Sequence, residues 1–464
     1  MNRTALALLA IALVHGLVHT LLFAPWMGED EPWHLEYASY VADGELPGLG
    51  RGLELTPDDL AHHSYSQLLA KRRFPELPYD TIERTQEAIL RSMEAQGFWR
   101  RVDWAPPNSA ARSFDQIEPA YTATNQPQLY YVVLGTWLRV FGGDTPEGRL
   151  AAGRALSLIL YLVTVGLAWL LGCAAFDDPR SRITVALVAM LLPVHGRHAA
   201  IVNNDVLATV FAALLLVLGA RVLQQVELRP NAGRLRMLAI VVAASALAVL
   251  TKMTTAGVGI LVGMVALVAL VQGRSGKSRL QISVLASLAG LALVVGAVLF
   301  WNQQHNPALP RSIATYVERV DEGFSFASVY KLWGRFVGRL NWNSRSLPEL
   351  TYGAVAIGFA IAATIATVQL FRPREHVRRS VVLLCLAVVV AQFALVFLRG
   401  VPEGRYLTPA LPAIAVLVTA GTVARWKPAH QRFEFASVAL LLLIFDGIYL
   451  WRGVAFHHYL FWNG

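Results

Sequence analysis

The sequence predicts an all-α polytopic membrane protein, a bundle of about 11–13 transmembrane helices with amphipathic helices in its first large loop. Three observations predict it. Of the 464 residues, 55% are hydrophobic and only 15% charged, and the mean hydropathy of +0.47 lies well above that of a soluble chain. Apolar runs of membrane length recur along the chain. Basic residues gather in short loops between those runs, where the positive-inside rule places them. That placement accounts for the net charge of +9 without a nucleic-acid partner. The two cysteines, Cys173 and Cys385, lie far apart in apolar runs; they give no disulfide framework or metal spacing and read as small buried apolar residues.

Residues 1–24 form the first predicted element. Positions 4–28 contain no Asp, Glu, Lys or Arg, long enough to span a core of about 30 Å. The run closes on Phe23-Ala24-Pro25-Trp26 rather than a small-residue cleavage site, so it reads as a retained helix with a cytoplasmic N-terminus. Residues 25–126 follow as an extracytoplasmic loop that opens on Glu29-Asp30-Glu31-Pro32-Trp33-His34. Within it, residues 80–90 carry apolar side chains at helical spacing and are expected to lie on the membrane surface.

Residues 127–301 make the core bundle, with apolar runs at 155–176, 183–196, 206–220, 237–273 and 280–301. The run from 237 is interrupted by Lys252 and reads as two short helices turning near Thr251-Lys252. Residues 302–350 form a second extracytoplasmic loop in which aromatic and basic residues alternate (Tyr330, Lys331, Trp333, Arg335), as expected among phospholipid head groups. Residues 351–464 supply the C-terminal helices, at 351–371, 380–398, 406–424 and 435–451. Basic clusters at 221–236, 274–279, 372–379 and 425–432 mark the cytoplasmic side. Asn203-Asn204-Asp205, Lys252 and Glu403-Gly404-Arg405 then face the compartment that holds Asp30. One segment, 128–141, is too short for a full span and upsets the alternation: counted from the N-terminus, residues 142–148 fall inside, and from the C-terminus outside. It reads as re-entrant or broken.

The acidic run is the most pointed chemical feature. Pro32 suits the first turn of a helix, and Asp30 or Glu31 suits its N-terminal end, where the dipole favours negative charge. A helix from 32 to about 42 brings Glu31, His34 and Ala38 near one face, so carboxylate and imidazole converge. The bland alternative is a solvated helix cap.

Six short motifs follow one another in order: Asp30-Glu31-x-x-His34 with Ala38 and Gly44; Gln126-Pro127-Gln128-Leu129-Tyr130-Tyr131; Arg149-Leu150-Ala151-Ala152-Gly153-Arg154; Asn203-Asn204-Asp205; Thr251-Lys252; and Gly404-Arg405-Tyr406-Leu407-x-Pro409. The ordered set resembles membrane glycosyltransferases of the GT-C superfamily, near the bacterial protein O-mannosyltransferases and the aminoarabinose transferase. One departure is Pro127-Gln128 where the family has Pro-Pro. The resemblance implies a GT-C-like bundle in the inner membrane, a sugar donor carried on a polyprenyl phosphate, a glycan, lipid or protein acceptor, and an active site on the extracytoplasmic side. It implies that Asp30 is the catalytic base with Glu31 as its acidic neighbour, that Asp205 is a second acid, and that His34 and Tyr406 contact substrate. No cofactor is implied with certainty; a divalent metal at the acids is an open alternative.

The chemistry of sugar transfer agrees. An acceptor hydroxyl needs a base, and a departing phosphate gains charge that fixed cations stabilise. Arg405, Lys252 and Arg197 are the cations available. Each has a plainer reading: Lys252 snorkelling to the interface, Arg405 paired to Glu403, and Arg197 with His195 and His198 forming an interfacial polar turn. His15 and His19 share a face of the first helix and read as packing residues. Asp446, the acid of the last span, is either functional or a structural hydrogen bonder. Two other functions fit such a chain, a flippase of lipid-linked sugars and a non-catalytic envelope-assembly protein. A flippase favours two repeats with paired midplane charges, and no such pattern is visible.

Overall fold

The protein is seen in a computed structural model that describes residues 3–28, 30–48, 62–101, 123–225, 231–272, 349–371, 377–398, 404–425 and 428–451, with isolated positions at 114, 117, 289, 290, 293 and 336. The predicted span at 280–301 and the aromatic-basic loop at 302–350 lie almost wholly outside the described residues.

Helix α1 (Arg3–Leu22) buries Ala5, Leu8, Ala12, Gly16 and His19, a stripe at spacings of three and four. Its other faces expose Leu6, Ile11, Val14 and Leu21, as lipid contact permits. Helix α2 (Glu31–Ala42) has all 12 of its residues buried. Helices α3 (Tyr65–Arg73), α4 (Tyr79–Ala95) and the short α5 (Phe98–Arg101) pack around it. A reciprocal capping box starts α3, with Ser64 Oγ accepting from Gln67 N and Gln67 Oε1 accepting from Ser64 N at 2.9 Å.

Helix α4 corrects the expectation for residues 80–90. Its face is amphipathic, but Ile82, Ile89, Leu90 and Met93 are buried in the protein rather than laid on a bilayer. Gln86 Nε2 on the same face donates to Glu36 Oε1 of α2 at 2.7 Å. The reason is supply: α2 is buried on every side, and α4 is an element next to it that can cover one.

The short segment that upset the alternation is helix α6 (Leu129–Phe141). It runs beside α2 in the same direction. Tyr131 meets His34 near the start of both helices, Gly135 lets the backbones close at Ala38 and Val41, and Arg139 donates to Val41 O (2.9 Å) and Ala42 O (2.8 Å). A turn at 142–145 then starts α7 (Pro146–Ala175), whose Thr145 cap accepts from Gly148 N at 3.1 Å. Arg149 Nη1 reaches Asp43 Oδ2 at 3.2 Å, so α7 begins where α2 ends. The two ways of counting agree if α6, paired to α2, does not cross.

After α7 the chain turns at Asp177 and Asp178 into α8 (Pro179–Leu191) and α9 (Pro193–Ala200), which meet at 57°. The apolar run expected at 183–196 is broken at Pro193. Proline cannot donate to Ala189 O, and His195 Nδ1 takes that carbonyl instead at 2.8 Å. Next come α10 (Asp205–Gln225), α11 (Asn231–Thr251), a 3₁₀ turn at Met253–Thr255 and α12 (Ala256–Gln272). The break expected at Thr251-Lys252 is present, with Lys252 extended at φ −160° and ψ 128°. The C-terminal part holds α13 (Glu349–Phe371), α14 (Arg379–Leu398), a 3₁₀ segment at Gly404–Ala410, α15 (Leu411–Gly421) and α16 (Pro428–Ile448).

Among the described residues α1, α7, α10, α14 and α16 are long and apolar enough to cross a membrane, and the count is six where the bent pair α8 and α9 is taken as one span. Shorter apolar helices lie in α6, α11, α12 and α13. Two apolar cores result. One fills the bundle; the other joins α2, α4, α6 and the start of α7 to Val202, Val206 and Leu207, seating the loop helices on one end of the bundle. Both cysteines are free; Cys385 is buried in the first core, as expected, whereas Cys173 is only partly buried.

Candidate active site

The link between α1 and α2 is fixed by one arginine. Arg154 of α7 donates to Phe23 O (2.8 Å) and Ala24 O (3.0 Å), and through Nε and Nη2 to both oxygens of Glu31 (2.9 and 2.8 Å). Glu31 also accepts from Val202 N at 3.0 Å and Gly28 N at 3.3 Å. Fully buried and accepting four hydrogen bonds, Glu31 ties the link after α1, α2, α7 and Val202 together. The acidic pair is thereby divided, with Glu31 in a holding position and Asp30 turned elsewhere.

Asp30 takes the left-handed conformation, φ 58° and ψ 9°, and its side chain makes no cap to α2. Aspartate is among the few residues that tolerate this region. The carboxylate instead forms a buried ion pair with Arg405, from the 3₁₀ segment before α15. A second buried pair stands beside it: Lys252 Nζ lies 2.7 Å from Asp205 Oδ1 and 3.1 Å from Asn204 Oδ1. Asn203 Oδ1 accepts from Asp205 N at 2.8 Å, fixing the start of α10. Oδ2 of Asp205 is buried with no hydrogen-bond partner.

Tyr406 joins the two pairs, its ring 5.4 Å from Lys252 Nζ and 5.6 Å from the Arg405 guanidinium carbon. Gln392 of α14 donates to Tyr406 O (2.5 Å) and Thr254 O (3.2 Å), bracing both breaks. His34 completes the group; its Nδ1 is 2.8 Å from Tyr131 Oη. Burial holds its imidazole down to about 3; Asp30 and Asp205 pull it up, and Lys252 and Arg405 push it down. His34 is therefore neutral at pH 7, within electrostatic reach of all four charges.

The residues singled out in the sequence are thus brought to one place. Asp30, His34, Asp205, Lys252, Arg405 and Tyr406 converge, and Glu31 anchors them from behind. Three plainer readings change. Lys252 is 6% exposed and ion-paired, so it does not snorkel. Arg405 pairs with Asp30, while Glu403 lies outside the described residues. Arg197, His195 and His198 are buried in α9 rather than interfacial, because α9 packs into the bundle beside α1 and α7. The roles of Arg154 and Gln392 escaped the sequence reading. Arg154 stood inside a quoted motif, and Gln392 is a lone amide in an apolar span; the partner of neither is visible without the fold.

A divalent metal at the acids is not supported by this geometry. Asp30 and Asp205 each already hold a cation, Arg405 and Lys252. Among the described residues no group of three metal-ligating side chains includes either acid.

Residues 13–414 match the family described as predicted membrane protein (DUF2142). The chain belongs to that family. The matched segment of this DUF2142 protein contains every residue of the cluster. No curated protein matches it. Among solved structures it is similar to ArnT from Cupriavidus metallidurans bound to undecaprenyl phosphate, at 16% identity over 95% of this chain and 62% of that one, with a TM-score of 0.45. It is also similar to the Archaeoglobus fulgidus oligosaccharyltransferase in the apo form, at 12% identity over 97% and 56% with a TM-score of 0.48. AglB of the same organism, in complex with an inhibitory peptide and a dolichol-phosphate, gives 12%, 96%, 55% and 0.48. The DUF2142 chain therefore spans between 55 and 62% of the length of these proteins.

Proposed function

We propose that this protein is an integral-membrane glycosyltransferase of the inner membrane, moving a sugar from a polyprenyl-phosphate donor to an extracytoplasmic acceptor. The observation that carries the reading is the buried quartet Asp30–Arg405 and Asp205–Lys252, gathered at helix breaks on the end of the bundle where α1 stops. Two cations in low dielectric suit a phosphate whose prenyl tail stays in lipid. In the resting state each cation is held by an acid. A donor phosphate that takes the Arg405 guanidinium releases the Asp30 carboxylate for the acceptor. The acceptor oxygen or nitrogen then forms its bond to the anomeric carbon as the carbon–oxygen bond to phosphate breaks. Its proton passes to Asp30, and the polyprenyl phosphate leaves against Arg405 and Lys252. In this scheme neutral His34 hydrogen-bonds the sugar and Tyr406 stacks on it. Glu31 is a positioning residue in this scheme, acting through Asp30.

The test is release of polyprenyl phosphate from polyprenyl-phosphate hexose and pentose donors by the full chain in nanodiscs, with envelope extracts as acceptor. Wild type turns over. Asp30→Asn is expected to lose at least 10²-fold in rate, as for removal of a general base, with protein still present in membranes. Arg405→Gln is expected to lose 10²–10³-fold. Undiminished turnover by Asp30→Asn ends the assignment.

A further inference from the structure

A second cluster of chemistry-bearing side chains lies inside the bundle, away from the quartet. His15 and His19, one turn apart on α1, face Asp446 of α16. His15 Nε2 is 2.9 Å from Oδ2 and His19 Nε2 is 3.2 Å from Oδ1, and the three ligand atoms lie within 4.8 Å of one another. His19 and Asp446 are buried and His15 nearly so. The surroundings are built to hold them. His15 Nδ1 meets Tyr161 Oη at 2.8 Å, and that hydroxyl donates to Met190 O at 3.4 Å. Gly196 of α9 leaves the space that the His19 ring fills; a Cβ there would fall onto the imidazole.

The convergence of three ligand atoms carries the argument. Tyr161 Oη lies 2.8 Å from His15 Nδ1 and 3.4 Å from Met190 O, so in the tautomer that carries the His15 proton on Nδ1 the hydroxyl accepts from His15 and donates to Met190 O. A neutral His15 with its proton on Nδ1 presents a bare lone pair at Nε2. In that tautomer the lone pair faces a carboxylate oxygen at 2.9 Å, and a metal ion between the two satisfies both acceptors. A tetrahedral ion with ligand bonds of about 2.0–2.2 Å sets its ligands roughly 3.3–3.5 Å apart, a few tenths of an ångström from the spacings present. Histidines at i and i+4 put both nitrogens on one helix face, and Tyr161 orients one ring from outside as metal-ligand histidines commonly require.

We propose that His15, His19 and Asp446 bind one divalent transition-metal ion of the zinc class, clamping the first described span to the last. Two imidazoles and one carboxylate suit zinc or cobalt, whereas magnesium and calcium take oxygen ligands. The ion also neutralises Asp446, a charge that is otherwise expensive within a span. This site is independent of the quartet and of the activity assigned to it.

Full-length protein in nanodiscs, stripped with chelator and titrated with Co²⁺, tests the proposal. The expected result is one Co²⁺ per chain with the visible absorption of a tetrahedral site, displaced by one equivalent of Zn²⁺ and unaffected by Mg²⁺. Tyr161→Phe is expected to bind 10–100-fold more weakly with the same stoichiometry. His19→Gln and Asp446→Asn are expected to lose the absorption. Wild type that takes up no Co²⁺ or Zn²⁺ overturns the proposal, and so does a well-folded Asp446→Asn protein that binds as wild type does. Should those variants not fold, wild type alone decides: Zn²⁺ raises its thermal midpoint and Mg²⁺ does not, and a midpoint indifferent to Zn²⁺ refutes the site.

Discussion

Asp30 stands one residue before a helix yet does not cap it, and its left-handed backbone turns the carboxylate toward Arg405. Such a conformation costs on the order of 1–3 kcal/mol and persists where the surroundings hold it, here through the anchor of Glu31 on Arg154. The neighbouring pair lends itself to a double-mutant cycle. Lys252→Met and Asp205→Asn each leave one buried partner stranded, a loss of about 3–5 kcal/mol when one member of such a pair is removed. The double variant is expected to lose less than the sum, read by unfolding in detergent; strict additivity would mean the two side chains do not depend on each other.

His34 makes stability depend on pH in a definite direction. Its folded value near 3 lies below the ordinary 6.5, so between those values the unfolded chain binds the extra proton and acid favours unfolding. The contribution is intact above pH 6.5 and falls as pH drops toward 3, by about 1.4 kcal/mol per unit, or about 2 kcal/mol at pH 5. Other buried histidines respond to acid as well, so the measurement is the difference in slope between wild type and His34→Asn. A variant with an unchanged slope from pH 7 to 5 would exclude His34 as the source. These side chains were legible as types in a pattern. Their pairing was not, because Asp30 and Arg405 stand 375 positions apart in the chain.

At the scale of elements, the apolar runs and the break at Lys252 could be read directly, since length and a lone charge are local properties. The placement of α4 and α6 could not. An amphipathic face specifies that something apolar covers it, and α2 rather than lipid does so for α4. For α6, 13 residues fall short of a span, and only its pairing with α2 shows where it lies. The bend between α8 and α9 rests on Pro193 and on the tight approach of Gly196 to His19. Gly196→Ala is expected to overpack that contact and lose about 1–3 kcal/mol. Gly263→Ala in α12, where a Cβ meets nothing within 4 Å, is expected to be neutral or to gain up to about 1 kcal/mol. Thermal unfolding of the two variants side by side checks this, and equal midpoints would contradict it.

Over the whole molecule, the two ends of the bundle are chemically distinct. One carries the quartet and the loop helices; the other carries the contact of Asp177 with Arg378, 3.0 Å apart, and the bridge from Phe176 to Val377. Cysteines introduced at exposed Asp144 and Asp177 are therefore expected to react with a membrane-impermeant thiol reagent from opposite sides of intact cells or inverted vesicles. Cys385 is buried and the partly buried Cys173 is replaced by Ala beforehand to remove background; the exposed salt bridge lost at Asp177 is worth at most about 1 kcal/mol. Labelling of both positions from one side would refute the arrangement.

Composition and the spacing of charges determined by themselves that this chain is a helical membrane protein, where several of its apolar helices lie, and which polar residues come together. These follow from the hydrocarbon thickness and the cost of charge within it, which act on each segment separately. Tertiary structure alone decided that Glu31 anchors while Asp30 faces Arg405, that α6 lies along α2, and that His15 and His19 meet Asp446. Each of these depends on which distant side chain arrives opposite, and a buried charge or an apolar face fixes the need for a partner without naming it.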